Sequence, residues 1–104
     1  MDNVKLGVTV PLSHADIVRE TIGKAGAGVV GNYEFCSFSV RGVGRFLPVE
    51  GANPAIGSVG NLEMVEEERV EVTCLKEHAM GIVAAIKLVH PYEEPAIDIY
   101  TLLS

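Results

Sequence analysis

The strongest constraint in this sequence is a hydrophobic period that changes twice along the chain from two residues to about 3.6. Val4, Leu6, Val8 and Val10 alternate with Lys5, Gly7 and Thr9, the pattern of a strand with one buried face, and Pro11 ends it. Ile17, Val18 and Ile22 then recur on one side of a helix expected over residues 13–25. Ser13 and Asp16 open it as a capping box with a shortened acid, and Gly26, Gly28 and Gly31 close it. The exchange repeats downstream. Val70, Val72 and Cys74 alternate, and Ala79, Ile82, Val83, Ile86 and Val89 form the apolar stripe of a second helix over residues 76–89, which Pro91 stops. A chain that twice places a strand ahead of an amphipathic helix must bury both helices on the sheet those strands build.

The remaining segments complete that sheet. Residues 33–40 are rich in aromatic and β-branched side chains and read as a strand, after which Gly42 and Gly44 permit a tight reversal into residues 45–47. Residues 48–60 read as one long loop, of the kind that often serves function or subunit contact. Residues 62–75 read as a long strand bulged at Glu66, Glu67 and Glu68, a run expected to be solvated. In the last strand, residues 96–102, Ile97 and Ile99 share one face and Tyr100 and Leu102 the other, which predicts that both faces are covered. The order is βαββαβ, an α+β ferredoxin-like sandwich: one antiparallel sheet with both helices on one face, in a single domain over residues 1–104.

Composition narrows the function classes. With 104 residues, 48% of them apolar, no Trp and 6% aromatics, the chain is expected to form one core of Val, Ile, Leu and Ala. No secretory pattern opens it and no stretch reaches the ~20 apolar residues that span a bilayer, so neither secretion nor membrane insertion is expected. Cys36 and Cys74 are too few for a disulfide framework and read as buried thiols within strands, which predicts a cytoplasmic protein. The formal charge is −6 and the basic residues are dispersed, which argues against nucleic acid as a partner.

Three groups of residues could carry chemistry. His90-Pro91-Tyr92-Glu93-Glu94-Pro95-Ala96 is first a helix stop, because Pro91 forbids continuation and Pro95 begins an extended segment. It also offers His90, Glu93 and Glu94, with Asp98 nearby, as candidate ligands for a divalent metal, the one cofactor the sequence suggests. Glycines 26, 28 and 31 follow a helix and precede a strand, the reverse of a phosphate-cradling loop, so their first reading is a turn. Gly28, Asn32 and Tyr33 from that loop, with Arg45 and Tyr92, make the candidate set for contact with a small-molecule ligand. His14 and His78 near helix starts do not stand at zinc spacing with Cys36 and Cys74, and no serine is flanked as in a nucleophile elbow.

Pro11-Leu12-Ser13-His14, Gly26-Ala27-Gly28, Gly31-Asn32-Tyr33 with Cys36, Pro48-Val49-Glu50-Gly51, Arg69-Val70-Glu71 and residues 90–96 together resemble the inserted domain of YqfO-type proteins, in the NGG-interacting factor three family. The resemblance covers nearly the whole chain. It implies a PII/CutA-like domain standing alone, without the dinuclear-metal core of the larger relatives that are often labelled type-two GTP cyclohydrolases. The expectation that follows is a homo-oligomer, a trimer by similarity to the PII and CutA proteins, acting as a ligand-binding or regulatory module without catalysis of its own. Divalent-metal binding through His90, Glu93 and Glu94, or a hydrolase activity, are the alternatives.

Overall fold

The structure, a computed structural model, describes residues 2–103. Its elements are β1 (Asn3–Pro11), α1 (Ala15–Lys24), β2 (Phe38–Phe46), β3 (Glu63–Leu75), α2 (Ala79–Val89) and β4 (Ile97–Thr101), with one 3-10 turn leading into each helix. The sheet order is β2-β3-β1-β4 and every pairing is antiparallel. That is the ferredoxin-like arrangement, and its alternation separates two faces. Val4, Leu6, Val8 and Val10 of β1 and Val70, Val72 and Cys74 of β3 share the face on which Ala15, Val18 and Ile22 of α1 and Ala79, Ile82, Val83 and Ile86 of α2 bury their stripes as one core. Both helices therefore cover the same side, as the sequence pattern requires.

Several local expectations give way. Ile17 lies off the buried stripe and is exposed, because Ala15 rather than Ile17 continues the spacing to Val18 and Ile22. No capping box forms: Ser13 Oγ bonds His14 Nδ1 at 2.8 Å, and Asp16 pairs with Arg19 one turn along α1. The helix ends in a Schellman motif, with Ala27 N–H on Ile22 O, Gly26 N–H on Gly23 O and Gly26 at φ +96°. No reversal occurs at Gly42 and Gly44, which lie inside one unbroken strand, and residues 33–37 are loop. Cys36 consequently stands in that loop and is only half-buried, while Cys74 is buried in β3.

β3 carries no bulge. Its register against β1 and β2 is continuous through Glu66, Glu67 and Glu68. The hydrophobic pattern changes there because the face that is covered changes: α1 and α2 cover the even-numbered side at Val70–Cys74, whereas Glu67 is buried on the opposite side, at 7% exposure. β4 is an edge strand, not a central one, and Ile99 and Tyr100 are exposed on its two faces.

β3 outruns β1. Pro11 pairs with Glu67, so residues 63–66 have only β2 beside them, and the β2–β3 pair projects as a two-stranded arm. The molecule accordingly measures 46 × 23 × 21 Å, with a radius of gyration of 14.5 Å, where a compact domain of this length would have about 13 Å. No helix among the described residues is long and apolar enough to cross a membrane.

Candidate functional site

The helix-free face of the sheet supplies the floor of a cleft of about 750 Å³. Along β2 this face reads Val40, Gly42, Gly44, Phe46, and Gly42 stands directly across the ladder from Glu67. Two glycines on an edge strand leave a notch between Val40 and Phe46, and the Glu67 carboxylate occupies it. A Cβ on Gly44 would lie 2.1 Å from Glu67 Oε1. The walls are the loop after β2, through Leu47, Pro48, Ala52 and Pro54, and the strap of residues 92–96 that leads into β4. The lining is apolar apart from a few charged groups, the usual constitution of a small-molecule site.

The strap is held on a single residue of β1. His90 Nε2–H donates to Thr9 O at 2.8 Å, and Thr9 N–H donates to Ala96 O at 3.3 Å, so both ends of residues 90–96 are tied to Thr9. Pro91 forces the chain out of α2 directly after His90. Since a carbonyl only accepts, His90 carries its proton on Nε2, and Nδ1 is free to accept the Tyr92 N–H at 3.1 Å. Burial lowers the pKa of the imidazole, with the hydrogen bond to Thr9 and the nearby Glu67 opposing that shift. His90 is a neutral, doubly bonded core residue.

Tyr92 completes the wall. Its ring meets Phe46 edge-on, with centroids 5.7 Å apart, and its hydroxyl donates to Glu67 Oε2 at 2.6 Å. Burial pushes the phenol pKa well above its ordinary value, and the hydrogen bond to Glu67 and that carboxylate's charge push it further the same way. Glu93 Oε1 accepts the Asn53 N–H at 3.1 Å and joins the strap to the opposite wall. Arg69 lies on the same sheet face and bridges Glu71 and Asp98, each at 3.3 Å. It crosses β1 over Gly7, where a Cβ would stand 2.3 Å from its guanidinium.

Of the ligand-contacting set, Arg45 and Tyr92 line this cleft, whereas Gly28, Asn32 and Tyr33 do not. Gly28, at φ +79°, donates to Thr73 O and accepts from Cys36 N–H, fastening the loop to β3 beyond the end of β2. Asn32 and Tyr33 are in an exposed turn, Tyr33 at 73% exposure. The metal set is not gathered: both nitrogens of His90 are engaged with backbone groups and Glu93 is bonded to Asn53. Among the described residues no three His, Cys, Asp or Glu side chains converge as metal ligands. Glu67 is the site residue that the sequence reading missed. Strand alternation alone turns it away from Glu66 and Glu68.

Comparison with known proteins places these features in context. The chain is 51% identical over 98 residues to the GTP cyclohydrolase 1 type 2 homolog of Halalkalibacterium halodurans, a match covering 94% of this chain and 26% of that protein. It superposes on the Bacillus cereus protein related to NIF3 with a TM-score of 0.86 and 42% identity, covering 99% of this chain and 26% of the other. It also superposes on the periplasmic divalent cation tolerance protein CutA from Archaeoglobus fulgidus with a TM-score of 0.72. There it covers 98% of this chain and 85% of that one at 16% identity, a likeness of fold. No family model matches the chain. It spans about a quarter of the length of the curated relatives it matches.

Proposed function

We propose that this chain, which matches one segment of the GTP cyclohydrolase 1 type 2 homologues and of a NIF3-related protein and has a CutA-like fold, is a homo-oligomeric, non-catalytic module that binds a small molecule. The cleft on the helix-free face carries this reading. Its volume of about 750 Å³ lies within the range of small-molecule sites, and its walls are fastened by Tyr92–Glu67 and Asn53–Glu93 contacts. The polar groups near its floor hold one another in place, and the Tyr92 phenol is shifted away from the range useful for proton transfer near neutrality.

Assembly is supported by the arm. Val43 and Met64 lie on the same sheet face as the two helices but at the arm, where both are exposed, and β2 and β4 both leave ladder edges open. A trimer is the closed form we favour. A cytoplasmic setting agrees with the free thiols of Cys36 and Cys74. The hydrolase alternative draws on the name given to relatives of which this chain spans a quarter, so the cleft gives the stronger reading.

Native mass spectrometry of protein taken directly from cells tests both halves together. The expected result is a trimer mass with a retained small-molecule adduct. A bare monomer at micromolar concentration would remove the proposal.

A further inference from the structure

The cleft contains a carboxylate without a cationic partner. Glu67 is 93% buried by its 7% exposure, and only Oε2 is hydrogen-bonded, to the Tyr92 hydroxyl, while Oε1 lies over Gly44 at the cleft floor. No cation pairs with it among the described residues. Arg69, next on the same face of β3, is engaged by Glu71 and Asp98, and Arg19 is engaged by Asp16 and Glu68 on the other side of the sheet. Arg41 and Arg45 contribute to the lining from β2 positions that alternate onto the face opposite Glu67. Oε1 is not a sealed, unsatisfied atom but one that the open cleft leaves accessible, so it can accept a charged donor from outside the chain.

The surroundings define the size and character of the missing partner. The Glu67 carboxylate fills the space over Gly44, whereas nothing stands within 4 Å of an added Cβ on Gly42, and Val40, Phe46, Leu47 and Pro54 offer apolar surface around it. Among the described residues no three metal-ligating side chains converge on a bare ion there. A ligand with an apolar body and one charged N–H donor satisfies both parts.

We propose that the cleft takes a small organic cation, a primary ammonium or amidinium on an apolar aliphatic or aromatic body, whose N–H donates to Glu67 Oε1. The inference rests on the ligand-binding reading of the cleft and specifies its chemistry. Glu67 is then the residue that selects charge, Tyr92 orients its carboxylate by holding the other oxygen, and the open space over Gly42 sets the depth to which the cation reaches.

The test compares 2-phenylethylamine, 2-phenylethanol and phenylacetate at pH 7, titrated into the 104-residue chain in its solution assembly and followed by amide chemical shifts around Gly42, Gly44 and Tyr92. The ammonium compound should bind more tightly than the alcohol by on the order of tenfold, the strength of one hydrogen bond to a charged group, and phenylacetate should bind least. Glu67→Gln keeps the side-chain shape and should abolish the preference for the amine over the alcohol. Alcohol or phenylacetate binding as well as the amine in the wild-type protein overturns the charge assignment but leaves the cleft a ligand site. Retention of the amine preference by Glu67→Gln overturns it too. Absence of binding by all three overturns this inference and the ligand-binding reading together. The wild-type selectivity decides the matter even if Glu67→Gln fails to fold.

Discussion

His90 illustrates how far one residue type can stand from its usual reading. An imidazole between carboxylates suggests a metal ligand, yet here Nε2–H feeds Thr9 O and Nδ1 accepts from Tyr92 N–H. Protonation would set a second N–H against the Tyr92 donor, in a buried site that already lowers the pKa. The folded-state pKa is below the unfolded value of about 6.5, so the unfolded chain takes up the proton first. This contribution to stability is complete above that value and is lost as pH falls through it toward the folded-state pKa. Urea midpoints measured at pH 7.5 and pH 5.5 should therefore fall more for the wild type than for His90→Gln, and equal falls would refute the account. Glu67 teaches the complementary lesson. Three successive glutamates look like one solvated run, but strand alternation sends the middle one to the other face, where two glycines on β2 leave it room. The alternation was legible in sequence; the identity of the opposing strand residues was not, because pairing register is a long-range property.

At the scale of elements, α1, α2 and β1 were legible because each has a strong period and a covalent stop: Pro11, the glycines after Ala25, or Pro91. β2 was not, since Gly42 and Gly44 carry turn chemistry in the sequence and only tertiary pairing with β3 makes them strand. The two glycines after α1 separate two physical effects and give a sharp comparison. Gly26 has φ +96° with nothing within 4 Å of an added Cβ, whereas Gly28 has φ +79° and an added Cβ would stand 2.4 Å from the Cys36 carbonyl oxygen. Gly26→Ala should cost only the left-handed backbone penalty, about 1–2 kcal/mol. Gly28→Ala must in addition displace a backbone segment bonded to β3, and its loss of stability in chemical denaturation should be clearly the larger. Equal losses would mean that the Gly28–Cys36 contact does not fix the loop.

For the whole molecule, the feature that local sequence patterns concealed is the arm, because it arises from the difference between two strand lengths and not from any residue. β1 stops at Pro11 opposite Glu67, and β2 with β3 continues to Phe46 and Glu63. On the arm, Val43 and Met64 are exposed on the sheet face that the helices cover farther along, flanked by Arg45 and Glu66 on the same face. A two-stranded ribbon has little stability by itself in water, so the arm gains from a neighbour that covers this side. If the arm holds the proposed assembly, a charge placed among these apolar groups must be buried on association and left solvated in the free protomer. Val43→Glu combined with Met64→Glu should therefore lower the mass measured by light scattering to that of one protomer. Both positions are exposed and neither belongs to the core around Leu6, Ile22, Ile82 and Ile86, so far-ultraviolet circular dichroism and cooperative unfolding should persist. A double variant that keeps the wild-type assembly would move the contact elsewhere, to the open edge of β4, where Ile99→Lys is the next substitution to measure.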